Sequence, residues 1–335
     1  MAEALVRTGR LAVVFGGGGF IGRHVVRALV KDGWRVLVAS RRPDLAFHLQ
    51  PIGKVGQIHA VQANLRYKDS VERAVREADA VVNLVGVLSE SGEQSFAAVH
   101  AEGAEAVARA AKAAGALSFV QLSAIGADAG SASSYARTKA DGEARVSAAF
   151  PGAVILRPSV VFGPEDQFFN RFATMARVMP FLPLVGGGET KLQPVFVGDV
   201  AKAVALALHG GAKPGTVYEL GGPQVVTLRE VMAFVESATQ HKRPLVKLGF
   251  EQAAALGGVT EFVHKISLGL LPETFVITRD QVELLKSDNV VSAQASAEGR
   301  DLRGLGIAPE SFEAMAPAYL GRFRPTGQYA DRRAA

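Results

Sequence analysis

The chain has 335 residues, 48% of them hydrophobic, enough to bury a large core as one elaborated domain or two. It has no cysteine, which excludes disulfides and cysteine-ligated iron–sulfur clusters, so any electrons it handles must ride on an organic cofactor. The net charge of +5 favours an anionic ligand, an acidic partner or an anionic lipid surface. Seven scattered histidines and the lack of a dense carboxylate cluster predict no metal site, and no nucleic-acid partner is expected. No apolar run approaches the roughly 18 residues of a membrane span. The first strand-like run begins at Leu11, too early for a targeting peptide to precede it, so a soluble or peripheral protein is expected.

In chain order, β-rich runs are predicted at 11–15, 35–39, 57–61, 80–84, 118–122 and 153–156. Helical patterns at 20–30, 70–77, 95–114 and 135–149 lie between them. The strands read as continuous Val/Ile/Leu runs, as expected when both faces of a sheet are buried. Strands alternating with helices predict an α/β fold, a doubly wound parallel sheet of the Rossmann type. Beyond about residue 165 the alternation loosens. "QPVFVGDVAKAVALALH" predicts a strand and a helix, "TVYELGGP" a later strand, and "TLREVMAFVE" a helix opened by a Thr227–Glu230 capping box. From Phe250 the pattern is mainly helical. The predicted organisation is a dinucleotide domain at 1–165, with later strands from about 190–225 joining it. A smaller, interleaved, mainly helical part follows at 166–190 and 226–316, and a docking tail at 317–335.

In "LAVVFGGGGFIGRHVVRAL" an apolar run meets four glycines and then an amphipathic helical pattern. Gly16, Gly19 and Gly22 fit G-x-x-G-x-x-G, while Gly17, Gly19 and Gly22 fit G-x-G-x-x-G. Both allow a tight strand-to-helix turn with backbone close to a pyrophosphate, at a helix N-terminus whose dipole favours anions. Gly16, Gly18, Gly19, Phe20, Ile21 and Gly22 are therefore the candidate phosphate contacts. An NAD site would carry an acid near the end of the second strand; "VLVASRRP" offers Ser40, Arg41 and Arg42 instead. Arginine pairs with a 2′-phosphate through charge-assisted bonds, so NADP(H) is the predicted cofactor. Asn64 and Leu65 after the third strand, and Gly86 after the fourth, stand where adenine and the nicotinamide half would lie. Asn83 reads equally as a tie between neighbouring loops.

"FVQLSAIGA" ends a strand with Ser123, and "SSYARTKADGE" opens a helix with Tyr135 and Lys139 one turn apart. A nearby ammonium lowers the tyrosine pKa from about 10 and makes it a usable acid or base, while Ser123 can hydrogen-bond a substrate oxygen. His100 lies in a helix at a position where cofactor-site neighbours occur but reads more readily as a structural histidine, and "LVGGGETKLQPV" reads as a turn.

These glycines, Ser123 and Tyr135-x-x-x-Lys139, together with "LRPSVVFGPED" and "QPVFVGDVAKA", resemble an atypical extended short-chain dehydrogenase/reductase. Arg157, Pro158 and Asp199 in these segments read as residues that orient loops. Pro158, Tyr135 and Lys139 also count among the candidate cofactor contacts, and Ser123, Tyr135 and Lys139 read alternatively as a vestigial catalytic set that contacts the cofactor. "GFIGRHVVRAL", "RPSVVFGPEDQFFNRFA", "TRDQVELLKSDNVVS" and "YLGRFRPTGQY" are similar to one branch, the nucleotide-binding accessory subunits of respiratory complex I and their bacterial relatives. That resemblance implies NADPH held tightly without turnover, contacts with peripheral-arm and membrane-arm subunits, and a peripheral place on the cytoplasmic side of a bacterial inner membrane. Phe15 stands where many catalytic relatives carry threonine, and the Ser123–Tyr135 loop is short; both argue against a sugar-nucleotide substrate. A free NADP-dependent reductase, epimerase or isomerase using Ser123, Tyr135 and Lys139 is the first alternative, and an NADPH redox-sensing regulator the second. Leu256, Val259, Val263, Ile266 and Leu270 mark one helix face, read either as core or as an apolar docking stripe. Tyr319, Phe323 and Tyr329 among Arg322, Arg324, Arg332 and Arg333 read as interface anchors. A chain cut after Ala316 is accordingly expected to fold, hold its nucleotide and fail to dock.

Overall fold

A computed structural model describes residues 9–90, 92–266 and 277–327. The chain divides into two compact units. The first comprises Met1–Pro158, Val197–Leu220 and Ala293–Ala308; the second comprises Ser159–Phe196, Gly221–Ser292 and Pro309–Ala335.

The first unit is built on β1 (Leu11–Phe15), β2 (Arg35–Ser40), β3 (Ile58–Gln62), β4 (Ala80–Asn83), β5 (Ser118–Leu122) and β6 (Val154–Pro158). With the strand Val217–Leu220 they make one seven-stranded sheet in the order Val217–Leu220, β6, β5, β4, β1, β2, β3. Every neighbouring pair is parallel. The helices are α1 (Phe20–Lys31), α2 (Lys68–Val75), α3 (Gly103–Ala113), α4 (Ser134–Ala149) and Val197–Leu208. Successive strand side chains point to opposite faces, and both faces are buried. Val13 and Phe15 join a core with Val81, Val107 and Phe119, while Ala12 and Val14 are equally buried on the other side. This is the Rossmann-type sheet expected from the alternation of periods.

The register fixes where a ligand can bind. Phe15 lies level with Ala39 and with Asn83, Ser40 with Gln62, and Asn83 with Gln121. The loops that follow β1 to β5 therefore leave the sheet along one edge. Strand order reverses between β1 and β4, the point at which such sheets open a ligand crevice.

The second unit packs the helices Phe169–Val178 and Leu228–Thr239 around a core rich in phenylalanine, with Phe162, Phe169, Leu182, Leu184, Met232 and Phe312 buried. Its strands are short pairs: Val161–Phe162 with Val195–Phe196, Lys191–Leu192 with Val226–Thr227, and Leu182–Val185 with Leu245–Leu248. Thr227 and Glu230 form the expected capping box at the start of Leu228–Thr239. Of the 190–225 segment, Val197–Leu220 belongs to the first unit, and Ala293–Ala308 returns to it later. Leu256 is exposed on the helix Phe250–Ile266; the side chains of Val259, Val263 and Ile266, and Leu270 itself, lie outside the described residues.

The segment after Ala316 is a strap on this core. Tyr319, Leu320 and Phe323 are buried in it, and the Tyr319 hydroxyl donates to the buried Asp166 carboxylate at 2.7 Å. Asp166 also accepts from the amides of Gly163, Phe168 and Asn170. The Arg322 guanidinium donates to the Pro164 carbonyl and to Asn170 Oδ1, and Arg324 Nε donates to the Ala238 carbonyl. Aromatic and arginine anchors are present here as the sequence suggested, but up to Phe323 they hold the chain's own core. These contacts count against the expectation that a chain cut after Ala316 keeps its fold. Tyr329, Arg332 and Arg333 lie outside the described residues. Among the described residues no helix is long and apolar enough to cross a membrane, and no group of three or more His, Cys, Asp or Glu is placed to hold a metal ion.

Candidate functional site

β1 passes into α1 through Gly16–Gly19. Gly16 has φ +78°, in the left-handed region where a side chain is strained. A Cβ on Gly22 would stand 2.2 Å from the Gly16 carbonyl oxygen and 2.6 Å from the Gly17 backbone. Of the two spacings open in the sequence, Gly16-x-x-Gly19-x-x-Gly22 is thus the one the turn requires. Gly19 caps α1 with extended backbone and no side-chain hydrogen bond, and no acidic residue occupies the first turn. The first amides of the helix, from Phe20 to Gly22, are left to an anionic ligand, together with the positive end of the helix dipole.

After β2, the Arg42 amide donates to Ser40 Oγ at 3.3 Å. The Arg42 guanidinium hydrogen-bonds Asp44 at 3.1 Å, and that bond holds the Asp44 carboxyl below its usual pKa. The sequence reading found no acid at the end of the second strand; Asp44, just beyond it, engages one of the two arginines. Arg41 instead lines a cleft of about 550 Å³ with Asn64, Arg66, Lys68 and Arg73. Asn64 Oδ1 accepts the Arg66 amide, and the Asn64 backbone exchanges hydrogen bonds with Ser70 Oγ. Leu65 packs against the core beside Gly103. Asn83 Nδ2 donates to Gln121 Oε1 at 2.9 Å and Asn83 Oδ1 accepts the Val85 amide, so this side chain does tie the ends of β4 and β5 together.

The acid–base candidates gather at the ends of β5 and the start of α4. Ser133 Oγ caps the helix by accepting the Ala136 amide, which sets Tyr135 and Lys139 on its first turns. Lys139 Nζ lies 5.7 Å from the centre of the Tyr135 ring. A Cβ on Gly86 would stand 3.2 Å from the same Nζ, so the loop after β4 closes on the lysine. Burial pulls the Lys139 pKa down to about 8, with Glu143 opposing the shift. Glu143 is itself held by a bidentate pair with Arg157, at 2.9 and 2.6 Å, so Arg157 is tied to α4 rather than to a loop. The Pro158 carbonyl at the end of β6 accepts the Ile125 amide in the loop after Ser123. Asp199 is buried in the first turn of Val197–Leu208 and pairs with Lys202.

Ser123 is 4% exposed, and among the described residues its Oγ is the buried side-chain polar atom without a hydrogen-bond partner. An orphaned buried hydroxyl costs free energy unless a ligand satisfies it. A ligand carbonyl or hydroxyl oxygen would accept a hydrogen bond from it, and Tyr135, with the Lys139 ammonium nearby, is suited to passing a proton. One feature escaped the sequence reading: His100 lies edge-on to Tyr135, with ring centroids 5.2 Å apart. Nothing local in the sequence joins these two residues.

The depressed Lys139 pKa has a definite sign in stability. Between about pH 8 and its usual 10.5, the unfolded chain binds a proton that the folded chain has released, so stability from this group rises with pH across that window. Lys139→Met should therefore raise the melting temperature of the ligand-free protein at pH 7, and the gain should shrink as pH climbs from 8 to 10.5. Paired thermal melts across that range decide it; a gain independent of pH would mean that the lysine is not held in this way.

Residues 12–221 match the NAD dependent epimerase/dehydratase family. Over 324 residues the chain is 35% identical to the mitochondrial NADH dehydrogenase (ubiquinone) 1 alpha subcomplex subunit 9 of Arabidopsis thaliana, covering 96% of this chain and 79% of that protein. It is 34% identical to the ceramide reductase of Caulobacter vibrioides over 293 residues, 86% of this chain and 88% of that one. Among solved structures, the NADPH-dependent quinone oxidoreductase of Escherichia coli complexed with NADPH matches with a TM-score of 0.70 at 19% identity. That match covers 92% of this chain and 99% of that one, and shows a shared fold. With the cradle at the end of β1 and the serine, tyrosine and lysine at β5 and α4, the chain belongs to the NAD-dependent epimerase/dehydratase family.

Proposed function

We propose that this chain is an accessory subunit of respiratory complex I that holds NADPH as a structural cofactor and does not turn it over. The observation that carries this reading is the 35% identity to a complex I subunit, which extends over 96% of the chain, from the glycine cradle to the C-terminal strap. Its partners are then peripheral-arm and membrane-arm subunits and anionic lipid, at the cytoplasmic side of a bacterial inner membrane. Arg41 supports NADPH over NADH: it lines a cleft with Lys68, Asp69 and Arg73 near the ends of β2 and β3, whereas Arg42 is engaged by Asp44.

A second reading, a free NADP-dependent reductase, is favoured by one observation of its own. Among the described residues the buried Ser123 hydroxyl has no hydrogen-bond partner, and the chain is 34% identical to a ceramide reductase.

Purification of the native protein under mild detergent separates the two readings. The accessory reading expects NADPH in the released nucleotide and complex I subunits among the co-purifying chains, with Tyr135→Phe leaving respiratory activity nearly intact. A monomeric protein without those subunits, or a Tyr135→Phe strain that accumulates a ketone or other metabolite, favours the enzyme. In the same preparation Arg41→Ala should weaken NADPH roughly tenfold to a hundredfold, the loss of a hydrogen bond to a charged group, and leave NADH nearly unchanged. Equal losses for both nucleotides would remove the case for the 2′-phosphate.

A further inference from the structure

His100 sits in a π-helical turn, Ala97–Glu102, just before α3. Such turns are rare, and a single one inside a helix frequently marks a functional site, because the extra residue re-aims the side chains around it. Here the turn brings an imidazole to a place where three segments of the first unit meet. The backbone amide of Val87, in the loop after β4, donates to His100 Nε2 at 3.1 Å. On the other side of the ring, Nδ1 lies 3.2 Å from Thr138 Oγ1 on α4. The ring stacks on Phe96, with centroids 5.4 Å apart and planes 17° apart, and meets the Tyr135 ring edge-on. A Cβ on Gly142, also on α4, would stand 2.0 Å from the His100 carbonyl oxygen, so helix and turn touch backbone to backbone.

The proton positions follow from the one donor that cannot be reversed. A backbone amide only donates, so Nε2 must be the bare nitrogen, and Nδ1 carries the proton and gives it to Thr138 Oγ1. Thr138 Oγ1 in turn donates to the Ser134 or Tyr135 carbonyl, at 2.9 and 3.0 Å. The chain of bonds therefore runs in one direction, from the Val87 amide through a neutral imidazole to the first turn of α4. Burial, reinforced by the Lys139 ammonium, keeps the ring neutral by lowering its pKa to about 3.

We propose that His100 is the positioning residue of the nicotinamide end of the site: it clamps the Gly86–Val87 backbone to α4 and so fixes the wall against which Tyr135 and Lys139 present their side chains. The inference rests on the reading of this crevice as an NADP(H) site, and it assigns the histidine to one half of the nucleotide only. A Cβ on Gly86, adjacent to the clamped amide, would stand 3.2 Å from Lys139 Nζ, so slack in this loop opens the site at the lysine. The adenine half would lie at the ends of β2 and β3, on other segments than these residues.

That asymmetry supplies the test. His100→Phe keeps the ring packing on Phe96 and Tyr135 but offers no acceptor to Val87. It should weaken NADPH roughly tenfold while leaving the affinity for 2′,5′-ADP, which lacks the nicotinamide, unchanged. His100→Gln, whose amide oxygen can reach the position of Nε2, should restore most of the lost affinity. Thr138→Val, which strands the Nδ1 proton, should shift NADPH in the same direction as His100→Phe and serves if that variant folds poorly. A loss shared equally by NADPH and 2′,5′-ADP, or no rescue by glutamine, overturns the proposal and leaves His100 a packing residue. Nitrogen NMR of the ligand-free protein should find the Nδ1-protonated tautomer at pH 7, and the other tautomer likewise overturns it. If the unaltered protein binds neither nucleotide, the cofactor reading fails by itself, while the tautomer measurement still decides the clamp.

Discussion

Gly22→Ala is expected to abolish dinucleotide binding, with affinity lowered at least a hundredfold, and to lower the melting temperature of the ligand-free protein as well. The added methyl would stand 2.2 Å from the Gly16 carbonyl oxygen and 2.6 Å from two Gly17 backbone atoms. Backbone cannot swing aside as a side chain can, so the turn has to open or α1 has to lift from β1. Overpacking of this kind costs about 1–3 kcal/mol in a well-packed site. Both responses move the first amides of α1 away from the phosphates they would bind. Gly18→Ala is the matched control for stability, because its nearest neighbour would be Ala46 Cβ at 3.5 Å, ordinary contact. Calorimetric titration with NADPH and thermal melts of the two variants give the comparison. A Gly22→Ala protein that binds as the parent does would show that the cradle is not where the nucleotide sits.

A chain ending at Ala316 should lose the cooperative folding of the second unit, whereas a chain ending at Gly327 should melt like the full protein. The shorter cut removes Tyr319, Leu320 and Phe323 from a core that buries each of them by more than nine-tenths. Burying one such side chain contributes about 1.5–3 kcal/mol, so three together rival the 5–15 kcal/mol that typically separates folded from unfolded chains. Asp166, 3% exposed, would also lose the hydroxyl of Tyr319. Limited proteolysis and differential scanning calorimetry would reveal the damage; an Ala316 truncation with an unchanged transition would mean that the strap contributes little. The two cuts also separate folding from docking. Failure of the Gly327 chain to associate with partners, while folding normally, would assign association to residues 328–335.

What the sequence disclosed was what is local in the chain. A buried strand, a glycine turn and an amphipathic helix are contiguous over 11–31, so both the sheet edge and the phosphate cradle could be read there. Tyr135 and Lys139 lie one turn apart on a single helix, and a serine cap two residues earlier fixes where that helix starts. The His100 clamp was hidden because its partners lie 13 and 38 residues away and the motif depends on a π-helical turn, which no simple periodicity announces. Asp44 was overlooked for another reason. It is near in sequence, but its pairing with Arg42 depends on how a loop folds back. The tail misled because aromatic and arginine residues suit an interface and a core alike, and Asp166, which decides between them, lies 153 residues from Tyr319.

The first unit is assembled from three separate stretches of chain, and this orders its folding in time. β1 to β6 occupy residues 11–158 without interruption, so during synthesis the cradle and the Tyr135–Lys139 helix emerge together and early. The strand that completes the sheet, Val217–Leu220, follows about 60 residues after β6. It is pinned later still, by Arg300, whose carbonyl accepts the Glu219 amide and whose guanidinium donates to the Val217 carbonyl. Until those residues leave the ribosome, β6 presents a row of unpaired backbone groups to solvent, a template for pairing with another nascent chain. A nucleotide that binds the early cradle would stabilise the half-built sheet by mass action through that interval, giving a structural cofactor its greatest leverage before the protein is complete.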